Sequence, residues 1–547
     1  MTALLLVCMA LADGPTVSDA AGDIRIDGSL DEPAWQAATP VTEFQRFQPT
    51  KGGVPPGTTE VRFLQDDRNL YVGVRVRDAN YKVRARISRR EDINADDQVG
   101  VYLDTFRDGR TGYIFYFNGR GIQQDIRVGP GFSSFSWNTV LRTKGQATDD
   151  GYTLEVAIPW RSVKYPNPND ETQTWGVILT RKIPSEGAKY SYPVTERGHP
   201  RLFTQAAPLT GVKPPKRGSG LELIPSLTLI QQAARDDADE LKWLELPTSG
   251  PDALPSWSRV VRPSLDLRLG LTPNLGLAAT INPDFSQVDQ DPTFINLNQR
   301  FAFFLPERRP FFLDGTEYFA DQQGSLYSRS IVDPLYGLKL SGRAGPVSMG
   351  VLHSLDRNPG RTVNERGTPG FDEEDVQDTQ ALNEVARVRL DAFGDGYVGA
   401  TIIDKRLING DGQLSGVHTA AGMDTRVPLS DRWTVDGRMI HSLTGPSYDN
   451  AIWGQEVGLG IARASGIGWG VRANATDVTP GHRRETGFLN QSGITYLNSA
   501  LDYTFEPSGM VDTVRPSLSA SARIERNGEQ QQFVGAGSEV LLGGIHR

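Results

Sequence analysis

Two kinds of alternation divide the chain. From Ile24 to about Leu209, apolar and polar residues alternate in short bursts: Thr59-Glu60-Val61-Arg62-Phe63-Leu64, the turn Asp66-Asp67-Arg68-Asn69, then Leu70-Tyr71-Val72-Gly73-Val74-Arg75-Val76. Bursts at 99–103, 112–117, 152–158 and 174–179 repeat the pattern. A period of two marks a strand, and many short strands at regular spacing predict a β-sandwich. After residue 220 the alternation lengthens. Leu265, Leu267, Leu269 and Leu271 alternate with Asp266, Arg268 and Gly270; Thr272-Pro273-Asn274 turns the chain, and Leu275, Leu277, Ala279 and Ile281 alternate back.

Equivalent hairpins are centred on Gly345-Pro346, Gly394-Asp395-Gly396, Leu429-Ser430-Asp431, Ala464-Ser465-Gly466 and Glu506-Pro507-Ser508-Gly509. These tight turns alternate with wider connections at 231–258, 284–334, 355–382, 406–414, 444–451 and 477–494. A soluble sandwich also alternates, so the loop asymmetry carries the distinction. Short turns on one side and long loops on the other predict an antiparallel transmembrane β-barrel of about fourteen strands, short turns periplasmic and long loops extracellular. The strands are near the ~9–11 residues that cross the hydrocarbon at a tilt. With 221–230 as the first rising strand, the N-terminal domain is expected on the periplasmic side of a bacterial outer membrane. The chain stops at Leu542-Gly543-Gly544-Ile545-His546-Arg547 without an aromatic closing strand, so the barrel is expected to be incomplete at its C-terminus. The expected organisation is a signal remnant at 1–14, a sandwich at 15–212, a proline, glycine and lysine linker at 213–220, and the barrel at 221–547.

Composition narrows the functional classes. The 547 residues carry 66 acidic and 57 basic side chains, a net charge of -9, which argues against a nucleic-acid surface. No run of about 20 apolar residues follows the first dozen positions, which excludes a bundle of transmembrane helices. The 58 glycines disfavour long helices, so the class is all-β. Cys8, the single cysteine, lies inside the apolar run at 4–12, which reads as the hydrophobic part of a secretory signal. Once that segment is removed, neither a disulfide nor a cysteine metal site remains available.

Asp27-Gly28-Ser29-Leu30-Asp31-Glu32-Pro33-Ala34-Trp35 resembles the opening motif of the family 9 carbohydrate-binding modules. Asp66-Asp67 before Leu70-Tyr71-Val72, Asp96-Asp97 before the Val101 strand, Asp104, and Ile158-Pro159-Trp160 follow in that family's order. The resemblance covers about 180 residues and implies a sandwich that binds a glycan or oligosaccharide. It also implies structural calcium, for which Asp66, Asp67, Asp96 and Asp97 are the candidate ligands; solvated turn residues are the plainer reading of such pairs.

Sugar rings stack their C–H face on aromatic planes and offer hydroxyls to bidentate polar partners. Trp137, in the loop Phe132-Ser133-Ser134-Phe135-Ser136-Trp137, is the stacking candidate. Arg89, Arg90, Glu91, Asn118, Gln123 and Asp125 are the polar candidates. Trp35, Trp160 and Trp175 stand in apolar strand contexts and read as core.

The segment 281–337 is a second point of resemblance. Ile281-Asn282-Pro283-Asp284-Phe285-Ser286-Gln287-Val288-Asp289-Gln290-Asp291-Pro292, the run from Phe303 to Gly315, Tyr327-Ser328-Arg329 and Asp333-Pro334-Leu335-Tyr336-Gly337 closely resemble uncharacterised outer-membrane proteins in which a family 9-like domain precedes DUF5916. Physically, the 284–334 insert is too apolar for a freely solvated loop. It is expected to enter the barrel lumen as a plug or constriction, with Phe303, Phe304, Phe311 and Phe312 packed on the wall and Glu307, Arg308 and Arg309 facing the path. An extracellular hydrophobic cap is the rival reading.

A search for catalysis is negative for a Gly-x-Ser-x-Gly elbow, His-Glu-x-x-His, a Walker loop and a dinucleotide fingerprint. The six histidines show no ligand spacing. No catalytic residue and no cofactor are therefore assigned, beyond the structural calcium. The leading expectation is a carbohydrate-binding outer-membrane barrel, with glycan and outer-membrane lipid as partners and glycan capture, passage or envelope attachment as its service. The alternative is a secreted glycoside hydrolase of carbohydrate catabolism with an accessory family 9-like module, in which Glu307 with Asp314 or Glu317 would form the acid pair.

Overall fold

The computed structural model describes residues 14–48, 51–78, 83–129, 132–135, 137–166, 172–196, 199, 201–215, 220–229, 233–235, 241–243, 261–272, 274–283, 285, 305, 307–357, 359, 379–394, 396–464, 466–489, 491–505, 511–526 and 530–542. Cys8 and the expected signal, like Phe303 and Phe304, lie outside them. The chain forms two compact units, one built on Met1–Lys216 and the other on Arg217–Thr504 with Arg515–Ser538.

The first unit contains β1 (Ser18–Asp19), β2 (Gln45–Gln48), β3 (Thr58–Gln65), β4 (Asn69–Arg77), β5 (Gln98–Asp104), β6 (Gly112–Asn118) and β7 (Gln123–Gly129). It continues with β8 (Phe132–Ser134), β9 (Arg142–Thr148), β10 (Gly151–Pro159), β11 (Gln173–Ile183), β12 (Ala188–Tyr192) and β13 (Ala207–Val212), with one short helix, α1 (Pro33–Ala37). One sheet has the order β1-β3-β4-β10-β9; the other runs β2-β12-β11-β5-β6-β7-β8, with β13 also on β11. Val61, Val72, Val74, Leu154 and Val156 of the first sheet share one core with Val99, Val101, Phe115, Phe117, Val177 and Leu179 of the second.

Strand parity sends the intervening residues outward, and on the first sheet that outer face is covered too. Tyr71 and Ala157 join Leu30, Ala34 and Trp35 in a second cluster. The opening motif is thus a structural cover. Trp35 lies over Gly73, where an added Cβ would stand 2.8 Å from its ring. Trp35 Nε1 donates to Glu155 Oε1 at 3.0 Å, while the backbone N–H groups of Asp27 and Gly28 donate to Glu155 Oε2 at 2.9 and 2.8 Å. Trp35, Trp160 and Trp175 are all core residues.

The second unit is a meander. Its strands are β14 (Leu221–Leu229), the small hairpin β15 (Ala233–Arg235) and β16 (Leu241–Trp243), β17 (Val261–Thr272), β18 (Leu275–Ile281), β19 (Pro334–Ala344), β20 (Val347–Asp356), β21 (Gln380–Ala392) and β22 (Gly396–Ile408). There follow β23 (Leu414–Pro428), β24 (Trp433–Gly445), β25 (Ile452–Arg463), β26 (Gly468–Val478), β27 (Ile494–Thr504), β28 (Val511–Glu525) and β29 (Gln530–Leu542). Apart from β15 and β16, they form one sheet of 14 strands in chain order; tight and wide connections alternate as far as β28, but the last connection, 526–529, is as short as the tight turns. No pairing joins β14 to β29 among the described residues, so the sheet is an open one there.

Its two faces reverse the usual rule. Met349, Val388, Ala400, Met423 and Met439 are consecutive register partners across β20–β24. In that row Val388, Met423 and Met439 are exposed. The adjacent row on the other face, Gly350, Arg387, Thr401, Gly422 and Ile440, is polar at its centre, yet Arg387 and Thr401 are buried. Arg387 reaches Asp424 at 2.7 Å on that face. Water-soluble sheets bury the apolar face and solvate the polar one; a lipid-facing wall does the opposite. Among the described residues no helix is long and apolar enough to cross a membrane.

The insert between β18 and β19 packs on the polar face. Phe311 and Phe312 of α2 (Pro310–Leu313), with Phe319 and Ile331, cluster with Leu352, Val385, Ile403, Ala420 and Ile440. Gly337 and Gly350 are bare where the rings arrive: an added Cβ would stand 2.8 Å from the Phe311 ring at the first and 2.9 Å from Phe319 at the second.

Candidate functional site

In the first unit, the outer face of the second sheet carries a cleft of about 420 Å³, a size suited to a small ligand. Register builds its floor: Gly100 on β5 pairs with Tyr116 on β6 and with Thr180 on β11, and Tyr116 pairs with Gln124 on β7. Tyr102 and Tyr116 meet edge to face, with centroids 5.6 Å apart and hydroxyls 2.6 Å apart. Gly100 makes that approach possible, since a Cβ there would lie 2.9 Å from the Tyr116 ring and 3.0 Å from Tyr102. Burial pushes both phenols above their ordinary range, so they are neutral hydrogen-bonding groups. Phe47 and Phe135 stand in the lining, Phe135 exposed, with the amides of Asn94, Gln98 and Gln124. Lys182 donates from Nζ to the Asn94 carbonyl, and burial lowers its pKa.

The residues expected from sequence gather elsewhere. Arg90 donates to Asp125 and, at 2.8 Å, to the Thr139 carbonyl; Gln123 Nε2 donates to Asp125 Oδ1 at 3.2 Å, and the Thr139 N–H donates to Asp125 Oδ2 at 3.0 Å. Glu91 joins this knot, 3.3 Å from Arg90 Nε, with its backbone in the left-handed region at φ 72. Burial, then the Asp125 charge, pushes the Glu91 carboxyl up to about 7. Trp137 lies 5.1 Å from Tyr113 and packs partly buried against the sandwich core. These groups occupy the inner side of β7, opposite Gln124 and Ile126. Asn118 is buried and committed: Nδ2 donates to the Arg86 carbonyl and Asp96, and Oδ1 accepts from the N–H of Arg120 and Ile122. Arg89 stands exposed on its loop.

Three of the four candidate calcium ligands have protein partners. Asp66 accepts from the N–H of Arg68 and Asn69 and from the Tyr71 hydroxyl, which makes it a turn-former. Asp96 is paired with Arg86 at 2.8 Å, and Asp97 accepts from the Arg84 N–H at 2.7 Å. Asp67 follows Asp66 in the same turn. Among the described residues no group of three or more His, Cys, Asp or Glu side chains could hold a metal ion.

In the second unit, Glu307 and Arg309 face each other rather than an open path. Arg309 donates to Glu307 from Nε at 2.9 Å and Nη2 at 2.7 Å, and to the carbonyls of Ile331 and Ser328 at 2.6 and 2.7 Å. Its guanidinium lies 4.3 Å from the Phe312 ring centroid. Burial pushes the Glu307 carboxyl up, but the hydrogen bonds and charge of Arg309, with the Ser328 hydroxyl, hold it below its ordinary range. A general acid needs the opposite shift. Arg308 is half-buried beside this pair.

Comparison with known families places these two units. Residues 26–179 match the carbohydrate family 9 binding domain-like family, and residues 256–337 match the domain of unknown function DUF5916. The chain thus joins a family 9-like carbohydrate-binding domain to a DUF5916-type region. No curated protein matches it. Among solved structures, a candidate carbohydrate-binding protein from Bacteroides uniformis is 14% identical, covering 36% of this chain and 99% of its own, with a TM-score of 0.29. A triple mutant of the Rhodopseudomonas blastica porin is 10% identical, covering 81% and 99%, with a TM-score of 0.23. Pseudomonas aeruginosa OpdK, solved with vanillate, is 10% identical, covering 83% and 89%, with a TM-score of 0.27.

Proposed function

We propose that this protein captures a saccharide in the Tyr102–Tyr116 cleft and is held in the outer membrane by its 14-stranded sheet. The cleft carries the first half of this reading: aromatic faces for sugar C–H groups stand beside amides for hydroxyls, in a domain matching a carbohydrate-binding family. The exposed apolar face carries the second, because such a face is stable against lipid. By the short-turn rule the chain enters β14 from the periplasmic side, and the 307–333 insert narrows the polar side of the wall as a plug. Titration calorimetry of the full-length protein in detergent against a glycan panel tests capture. Binding that falls at least tenfold in Tyr116→Ala supports it; no heat with any glycan removes it. Outer-membrane fractionation with heat-modifiable gel mobility supports the anchor, and recovery as a detergent-free soluble monomer overturns it.

A further inference from the structure

Lys405 lies on the polar face of the large sheet, three residues before β22 ends at a wide connection, and is 4% exposed. Lysine is almost never buried unless it is paired. Other buried cations of this face obey that rule: Lys339 donates to the carbonyls of Phe311 and Asp314, and Arg387 holds Asp424. Lys405 departs from it, because among the described residues its Nζ has neither a hydrogen-bond acceptor nor a carboxylate partner. Its register partner on β23 is His418, 2% exposed, which is reached electrostatically by Lys405 and His482 with no carboxylate among them. His418 Nδ1 lies 2.7 Å from the Thr444 hydroxyl, and its Nε2 has no partner among the described residues.

His482 is seated beside this pair. Ser442 and Thr444 are alternate residues of β24, about 7 Å apart on one face, and Ser442 Oγ lies 2.9 Å from His482 Nδ1. The wall is bare where the segment arrives, since a Cβ on Gly454 would stand 2.0 Å from the His482 backbone nitrogen. Ser442 Oγ also accepts from the Arg483 N–H at 3.2 Å, so its own proton goes to His482 Nδ1 and the ring proton rests on Nε2. Burial, then the charge of Arg484, lowers the His482 pKa to about 4, which keeps the ring neutral. That Nε2 is buried without a hydrogen-bond partner among the described residues. Glu456, which also reaches His482, is held by Arg438 and Arg484, and Asp356 of the same face accepts from the N–H groups of Val332 and Asp333.

We propose that Lys405, His418 and His482 form a seat for an oxyanion, the phosphate, sulfate or carboxylate group of an acidic solute. A buried donor left unmade is costly, and an oxyanion supplies several acceptor lone pairs together with the missing negative charge. A monatomic anion matches the charge but cannot spread acceptors over donors set on two strands and a loop. With the wide connections outside the cell, the seat meets solute entering from that side. Its chemistry goes beyond saccharide capture and membrane anchoring and depends on neither.

The test uses the full-length protein in detergent with isotopically labelled histidine, titrated at constant ionic strength with inorganic phosphate, sulfate, acetate or chloride. The imidazole resonances of His418 and His482 are expected to shift together and saturate with one oxyanion at a concentration at least tenfold below that needed for chloride, while those of His199 and His353 stay in place. Which oxyanion binds tightest identifies the group. Lys405→Met should weaken that binding at least tenfold, and Arg268→Gln, on the same face at β17, should leave it unchanged. If Lys405→Met fails to fold, judged by its melting curve, the oxyanion-against-chloride comparison on the unaltered protein decides. No shift of the two rings, an equal response to chloride, or full affinity in a folded Lys405→Met overturns the seat. Failure of the glycan titrations removes saccharide capture and leaves the seat standing.

Discussion

Trp35 Nε1 donates to Glu155 Oε1 across 3.0 Å, joining the opening motif to the fourth-last residue before Pro159 on β10. The same carboxylate receives two backbone N–H groups, so its removal strands three donors, those of Trp35 and Gly28 buried. Glu155→Ala is expected to cost about 3 kcal/mol or more. A denaturant midpoint unchanged from the parent would show that the cover is not held this way.

That carboxyl also sets a pH dependence. Burial raises Glu155 to about 7, against an ordinary 4.5, despite the donors around it. A raised acid contributes stability that is fully present below its unfolded pKa and is lost as pH rises through the folded one. Glu91, also raised to about 7, acts in the same direction. The melting temperature of the sandwich should therefore fall between about pH 4.5 and pH 7–8, and Glu155→Gln should flatten the fall. A melting temperature that rises over this window contradicts the assignment.

At the cleft, Gly100→Ala is the sharpest probe. Its Cβ would press on both tyrosine rings. Overpacking of this kind costs about 1–3 kcal/mol, and it should abolish glycan binding by prising Tyr102 from Tyr116. Calorimetry and thermal melting, measured together, check both effects.

The facing of the large sheet is tested by a pair of changes. Met423→Arg places a charge on the exposed apolar row and should cost about 2–4 kcal/mol if that row lies near the bilayer midplane. Arg268→Leu, on the opposite face where Arg268 stands 3.7 Å from Glu222, should be mild. Folding equilibria in lipid vesicles give both values; equal costs would refute the assigned faces.

Arg309→Ala should leave Glu307 buried without its cation, at a cost of about 3 kcal/mol or more. Hydrogen exchange over 307–331 should quicken, since Arg309 also holds the carbonyls of Ser328 and Ile331. In planar bilayers the same variant is expected to raise conductance. Unchanged exchange would mean that the insert is held by its phenylalanines alone.

The large sheet was legible because its tight turns stand where proline, glycine and serine interrupt alternation, and because Leu269 and Arg268 fall on opposite faces by simple parity. The sandwich and its tryptophan core were legible for the same reason. The cleft was not. On β7 the run Gln123-Gln124-Asp125-Ile126 has no clean alternation, so sequence favoured Gln123 and Asp125, which turn inward, over Gln124 and Ile126, which line the cleft. In the loop before β9 the structure turns Trp137 towards the core and exposes Phe135. Tyr102 and Tyr116 lie within apolar strand runs and look like core until the register sets them beside Gly100. An aromatic two residues from a glycine on one strand, as Tyr102 is from Gly100, shares that glycine's face and is the signal that points to the cleft.

Gly337 and Gly350 give the insert a history as well as a seat. Each is a missing side chain shaped to a phenylalanine ring arriving from a segment distant in sequence. Wall and insert must therefore change together. A relative that fills either gap should also have shrunk or redirected Phe311 or Phe319, and transplanting this segment into another barrel should fail until the two hollows are carved to receive it.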